Sequence, residues 1–197
     1  MRQRLSGTGY SLLELLFATG LMATVAGMAL PVMLAGLDEM RTLGAVRYVS
    51  SRLQRTRMDA VARSANTAVR FIRTGETVTF GVYADGNGDG VRSADILHGV
   101  DPVVFPEQRL SDLFPGVEFG TLPDLPAVDA SSAAPGSDPI RVGSSDLLAF
   151  TPLGTSTSGS LYVLGPGRTQ YVIRVFGATA KLRVVRFDVS RAQWETP

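Results

Sequence analysis

The chain has 197 residues, enough for one ordinary domain plus an appended element. Apolar residues make up 45% of it and the formal net charge is +1, so composition points neither to disorder nor to bulk binding of nucleic acid. With no cysteine and a single histidine, His98, a disulfide framework, a thiolate metal site and a multi-histidine centre are excluded.

Residues 10–37 read YSLLELLFATGLMATVAGMALPVMLAGL and carry one charge, Glu14. At about 1.5 Å per residue, the stretch after Glu14 is long enough to cross a ~30 Å hydrocarbon core. Arg2 and Arg4 precede it, and Asp38, Glu39 and Arg41 follow. Positive charge on the N-terminal side favours a cytoplasmic N-terminus, with the rest of the chain outside the membrane. A secretory signal peptide would have a shorter apolar region followed by a small-x-small cleavage site, whereas this run is too long and no literal Ala-x-Ala lies inside or just after it. A plain signal anchor leaves Glu14 unexplained, because an ionisable group within a membrane segment costs about 2.5–3.5 kcal/mol and normally has a partner.

The run Gly9, Tyr10, Ser11, Leu12, Leu13, Glu14, Leu15, Leu16 resembles the class III signal of type IV pilins and pseudopilins. In that signal a glycine is followed by an aromatic residue or Met, a short polar residue, two aliphatics and a glutamate. The resemblance implies cleavage between Gly9 and Tyr10 by a membrane-embedded prepilin peptidase and N-methylation of the new Tyr10 amine. It also implies a helix-kinking proline, and Pro31 falls at the matching place. Tyr10 stands where Phe is commoner and keeps the aromatic character. The physical reading agrees. Cleavage exposes a cationic amine near the membrane interface, and the Glu14 carboxylate of a neighbouring subunit can pair with it where unpaired charges are costly. Pro31 removes a backbone donor and clashes one turn back, so a bend is expected near Ala26 to Met28. Gly20, Gly27 and Gly36 leave small surfaces for close helix packing.

Helical spacing continues through Met40, Leu43, Val46, Val49, Leu53, Ala60 and Val61, with Arg41, Arg47, Arg52, Arg55, Arg57 and Arg63 on the other faces. One long helix is predicted from about 11 to 64, its second half (38–66) lying on a sheet and its arginines forming a solvated face with inter-subunit ion pairs. After Asn66 the period changes to two. Strands are predicted at 69–73 and 78–83, joined by a tight turn, and at 102–105, 117–119, 147–151, 161–164, 171–176 and 182–189. The Pro-, Ala-, Ser-, Asp- and Gly-rich stretch 121–145 reads as a long surface loop.

Residues 53–63 followed by 68–71, and 148–154 followed by 159–163, resemble the GspH/FimT group of minor pseudopilins and minor pilins. The Gly-Arg-x-Arg element of that group's DNA-binding members is missing, the nearest stretch being 177–183. That departure argues against nucleic acid as a partner.

Asp85, Asn87, Asp89, Val91 and Ser93 fall at positions one, three, five, seven and nine of a calcium-type loop, with Gly90 for the sharp turn. Position twelve is Ile96, where a bidentate Glu belongs, and Asp95 comes one residue early. A Gly- and Asp-rich strand connection explains the same residues without metal. Near the C-terminus, Lys181, Arg183 and Arg186 read as alternating basic residues on one face of an edge strand, with Trp194 beyond as a stacking residue. A solvated edge strand protected from aggregation is the alternative. His98 has no nucleophile elbow, phosphate loop or carboxylate pair around it, so catalysis is not expected.

The expectation is an α+β type IV pilin fold: leader at 1–9, membrane and polymerisation helix at 10–37, amphipathic continuation at 38–66 and a β-rich periplasmic domain at 67–197. The resemblance implies a minor pseudopilin of type II secretion or, alternatively, a minor pilin of a type IV pilus. Its partners would be other pilin or pseudopilin subunits, the prepilin peptidase, the inner-membrane assembly platform and the bilayer.

Overall fold

The structure, a computed structural model, describes residues 10–75, 77–129 and 132–196, and the side chains of all of these except positions 31 and 32. The chain divides into two compact units that part between Leu37 and Asp38.

The helix α1 (Leu12–Arg63) spans 52 residues and contributes to both units. It stops where Ser64 adopts a left-handed φ of 52° and the amides of Ser64 and Ala65 donate to the carbonyls of Val61 and Ala60. From there the side-chain period is that of strands.

In the second unit the elements follow as β1 (Thr67–Thr74), β2 (Thr77–Ala84), α2 (Ser93–Leu97), β3 (Val103–Arg109), α3 (Leu110–Leu113), β4 (Glu118–Phe119), β5 (Ile140–Val142), β6 (Leu147–Phe150), β7 (Gly159–Leu164), β8 (Gln170–Phe176), β9 (Lys181–Asp188) and β10 (Gln193–Glu195). One antiparallel sheet has the order β3-β2-β1-β6. The other runs β10-β9-β8-β7-β4, with β5 also pairing to β7. The layout is α+β.

Alternation builds the core. Val69 and Phe71 of β1 face Val82 and Phe80 of β2 across a continuous register, and all four side chains are buried. Phe119 stands edge-on to Phe71 and Phe80, with ring centroids 5.5 and 5.8 Å away, and so ties β4 of the second sheet to the first. Ala45, Val46, Val49, Leu53 and Ala60 of α1 close the same core against Leu161, Val163, Tyr171 and Ile173. Met40 and Val61, expected on that helical face, are instead exposed, since both flank the buried stripe.

The structure adds short elements beyond those expected, among them α2, α3, β5 and β10. The stretch 121–145 is not loop throughout, because β5 pairs with β7 from within it and Leu122 and Leu125 are buried. A strand of three residues is too short to show a period. Gln170, fully buried at the start of β8, anchors this stretch. Its Oε1 accepts the Leu122 amide at 2.9 Å, and its Nε2 faces the carbonyls of Gly120, Val163 and Tyr171 at 3.0–3.2 Å.

Candidate functional site

The first unit presents apolar side chains to every side. Tyr10, Leu12, Leu13, Phe17, Met22 and Met28 are each more than 70% exposed, and none of the helix's most apolar 18-residue window is buried within the protein. In water such a surface would be strongly unfavourable, at roughly 25 cal/mol per Å². The helix is long and apolar enough to cross a membrane. The two threonine hydroxyls in its apolar half are already satisfied. Thr19 Oγ1 donates to the carbonyls of Leu15 and Leu16, both at 3.0 Å, and Thr24 Oγ1 donates to Gly20 at 2.9 Å. Back-bonding of this kind lets a threonine sit in hydrocarbon without an orphaned donor.

Glu14 lies in the first turn of α1, where the helix dipole favours a negative charge. Tyr10 immediately precedes the helix and is exposed. Gly9, and with it the expected cleavage point, lies outside the described residues. Position 31 is helical within α1, and the side chain of Pro31 lies outside the described residues. Apart from the helix's own adjoining backbone, no atoms of the described residues lie within 4 Å of a Cβ built on Gly20, Gly27 or Gly36, so all three leave open surface.

The loop after β2 is organised by two aspartates. Asp85 Oδ1 accepts the amides of Asn87 (3.2 Å) and Gly88 (2.7 Å), and Oδ2 accepts Gly90 N (2.8 Å) and Asn66 Nδ2 (3.1 Å). Burial pushes the Asp85 carboxyl up, but these hydrogen bonds together outweigh it and hold the group below the usual carboxylate range. Asn87 Oδ1 accepts the Asp89 amide at 3.2 Å, and Asp89 pairs with Arg92 at 2.8 Å. Val91 is buried against Ala68, Tyr83 and Leu147. Ser93 and Asp95 belong to α2.

Asp101, which the spacing does not reveal, is the second organiser. It is 2% exposed, and its two oxygens accept Gly86 N at 3.0 Å and Arg92 N at 2.9 Å. Gly86 is required there, because a Cβ would collide with the Val100 carbonyl. Among the described residues no group of three or more His, Asp or Glu side chains is gathered to hold a metal ion. His98 caps the C-terminal end of α2 and is exposed.

The expected basic face near the C-terminus is corrected in part. β10 pairs with β9 only at residues 186–188, so the outer edge of β9 is open over its first half. Arg186 points to the face opposite Lys181 and Arg183 and pairs with Glu39 at 2.6 Å. Trp194 packs against Phe187 and Tyr162, with centroids 5.1 and 6.2 Å away, and its indole N–H donates to the Pro126 carbonyl at 3.1 Å. Committed on both its ring and its edge, it is not poised to stack on a base.

On α1, Arg52 lies over the Phe105 ring at 3.5 Å and donates to the Tyr48 hydroxyl at 3.3 Å. Arg55 pairs with Asp59 at 3.5 Å, and Arg41 with Asp38 at 3.3 Å. Compared with family models, with curated proteins and with solved structures, the chain shows no match.

Proposed function

We propose that the chain is a minor pseudopilin of a type II secretion system, held in the inner membrane by residues 10–37 and incorporated in, or initiating, a short pseudopilus. The reading rests on one observation above the others: an apolar helical segment in which every described large apolar side chain is exposed, with one carboxylate, Glu14, in the first turn. Such a segment needs lipid before assembly and neighbouring helices after it. The same helix then supplies Val46, Val49 and Leu53 to the core of an antiparallel β domain, the arrangement expected of a pilin fold.

In this reading Glu14 meets the methylated Tyr10 amine of an adjoining subunit, and that pair fixes the axial register. Lateral packing of the apolar helices drives polymerisation as they leave the bilayer. The second unit stays on the periplasmic side.

The intact mass of the protein purified from membranes tests the reading. The expected result is loss of residues 1–9 and gain of one methyl group on Tyr10; an unprocessed N-terminus overturns it. A minor pilin of a type IV pilus shares these features, and the subunits recovered with the processed protein after cross-linking separate the two systems.

A further inference from the structure

The register of the second sheet places four residues in one transverse row. Arg141 on β5 is opposite Ser160 on β7, Ser160 is opposite Arg174 on β8, and Arg174 is opposite Arg183 on β9. Residues directly opposite one another share a face, and adjacent strands lie about 4.8 Å apart, so three guanidinium groups are held on one side of the sheet. The neighbouring row, Ile140, Leu161, Ile173 and Val184, points the other way, into the core under α1. One end of the arginine-bearing face is covered by Leu122, Leu125, Phe187 and Trp194.

Over the row opens a cavity of about 780 Å³, lined by Arg141, Ser160, Tyr162, Arg174 and Phe176 among others. That is the size of a small-molecule site. Its charges are incompletely matched. Arg174 reaches Asp129 through Nη2 at 3.2 Å, while its Nη1 is buried with no hydrogen-bond partner among the described residues. Arg141 Nη1 donates to the carbonyls of Ala133 and Ala134, both at 2.7 Å, so its acceptors are neutral. Asp138 at the rim is bound to Arg73 at 2.7 Å and to the Ile140 amide at 3.0 Å. A buried donor without a partner is rare in a folded protein, and the Arg174 side chain that carries it lines the cavity. Guanidinium forks match carboxylates in shape as well as charge.

We propose that this cavity binds an organic anion, its carboxylate on the Arg141–Ser160–Arg174 row and its apolar body against Phe176 and Tyr162. Nothing in the membrane helix enters the argument, so the site stands or falls independently of the pseudopilin reading. A carboxylate of this kind belongs either to a free small acid or to the end of a polypeptide, and the probes separate the two.

The full-length protein in detergent is titrated by calorimetry at low salt with hippurate, with hippuramide, with the tripeptide Gly-Gly-Phe carrying a free C-terminus, and with a single-stranded DNA oligonucleotide. Saturable binding of hippurate that is lost with hippuramide supports the site and a free acid as its ligand. Saturable binding of the tripeptide alone supports the site and assigns it to a polypeptide terminus. Equal binding of hippurate and hippuramide, binding of DNA alone, or no binding overturns the proposal. Arg141→Gln and Arg174→Gln should each weaken the bound acid by about tenfold or more. Arg191→Gln, on the turn after β9, should leave it unchanged. Arg174 is largely buried, so its variant is scored only if its melting temperature without ligand matches the wild type; Arg141→Gln carries the test otherwise. Undiminished affinity in Arg141→Gln overturns the proposal.

Discussion

Gly165 lies so close to Thr42 of α1 that a Cβ added to the glycine would overlap the threonine hydroxyl and both of its carbons. Thr42 is fully buried, and its Oγ1 donates to the Asp38 carbonyl at 2.7 Å, so it has little freedom to retreat. The contact sets how near the end of β7 comes to the helix. Gly165→Ala should therefore destabilise the β domain by about 1–3 kcal/mol through overpacking. Urea unfolding followed by circular dichroism measures it, and a Thr42→Ala partner variant, which removes both the hydroxyl and the methyl, should recover part of the loss.

Asp101 satisfies two backbone amides far apart in the loop, Gly86 N and Arg92 N, from a buried position. Asp101→Ala leaves both donors without an acceptor and should cost about 2–4 kcal/mol. Hydrogen exchange at Gly86 and Arg92 should accelerate in that variant, while exchange in β8 stays close to that of the wild type.

The Asp85 carboxyl titrates below its ordinary range because four donors favour its ionised form over the opposing effect of burial. Its contribution to stability is thus complete above the unfolded value of about 3.9 and is lost as pH falls through the lower, folded value. Melting temperatures recorded from pH 7 to pH 3 should fall more steeply for the wild type than for Asp85→Asn, which has no proton to take up. Parallel curves would contradict this assignment.

Gln170→Leu removes the acceptor of the Leu122 amide and a donor to three carbonyls, all inside the protein. The expected loss is about 2–4 kcal/mol. Limited proteolysis reports where it falls: cleavage should appear first in the 121–128 stretch, which the glutamine pins to β7 and β8.

Glu14→Ala tests the proposed assembly register directly. The variant should still enter the membrane, since removal of a charge eases insertion. What it should lose is recovery in cross-linked complexes with other subunits, by tenfold or more. Complexes formed as efficiently as with the wild type would remove the basis of the pairing between Glu14 and the Tyr10 amine.

The parts legible in the sequence are those with a long period. α1 shows itself through 28 nearly uncharged residues and the spacing that follows, and it was expected within a residue of its observed ends. β1 and β9 show themselves by alternation, and β2, β7 and β8 by runs of apolar, β-branched and aromatic residues that are buried nearly throughout. Strand order could not be read, because β1 pairs with β6 some eighty residues away and nothing local records it. The arginine row is hidden for the same reason. Arg141, Arg174 and Arg183 are scattered along the chain and meet only through register, whereas the eye-catching set Lys181, Arg183 and Arg186 is split between two faces. Asp101 and Gln170 looked like ordinary polar residues; their importance lies in which amides come to them, a tertiary fact. In the first unit Glu14 is conspicuous in the sequence by its apolar neighbours.

The single tryptophan also has an optical consequence. Trp194 belongs to the last strand, yet its indole is fastened to the carbonyl of Pro126 and wedged between Phe187 and Tyr162. Its emission is consequently a built-in reporter of whether the C-terminus has clasped the 121–128 stretch. A red shift on excitation at 295 nm would register the release of that clasp while far-ultraviolet dichroism still shows an intact helix.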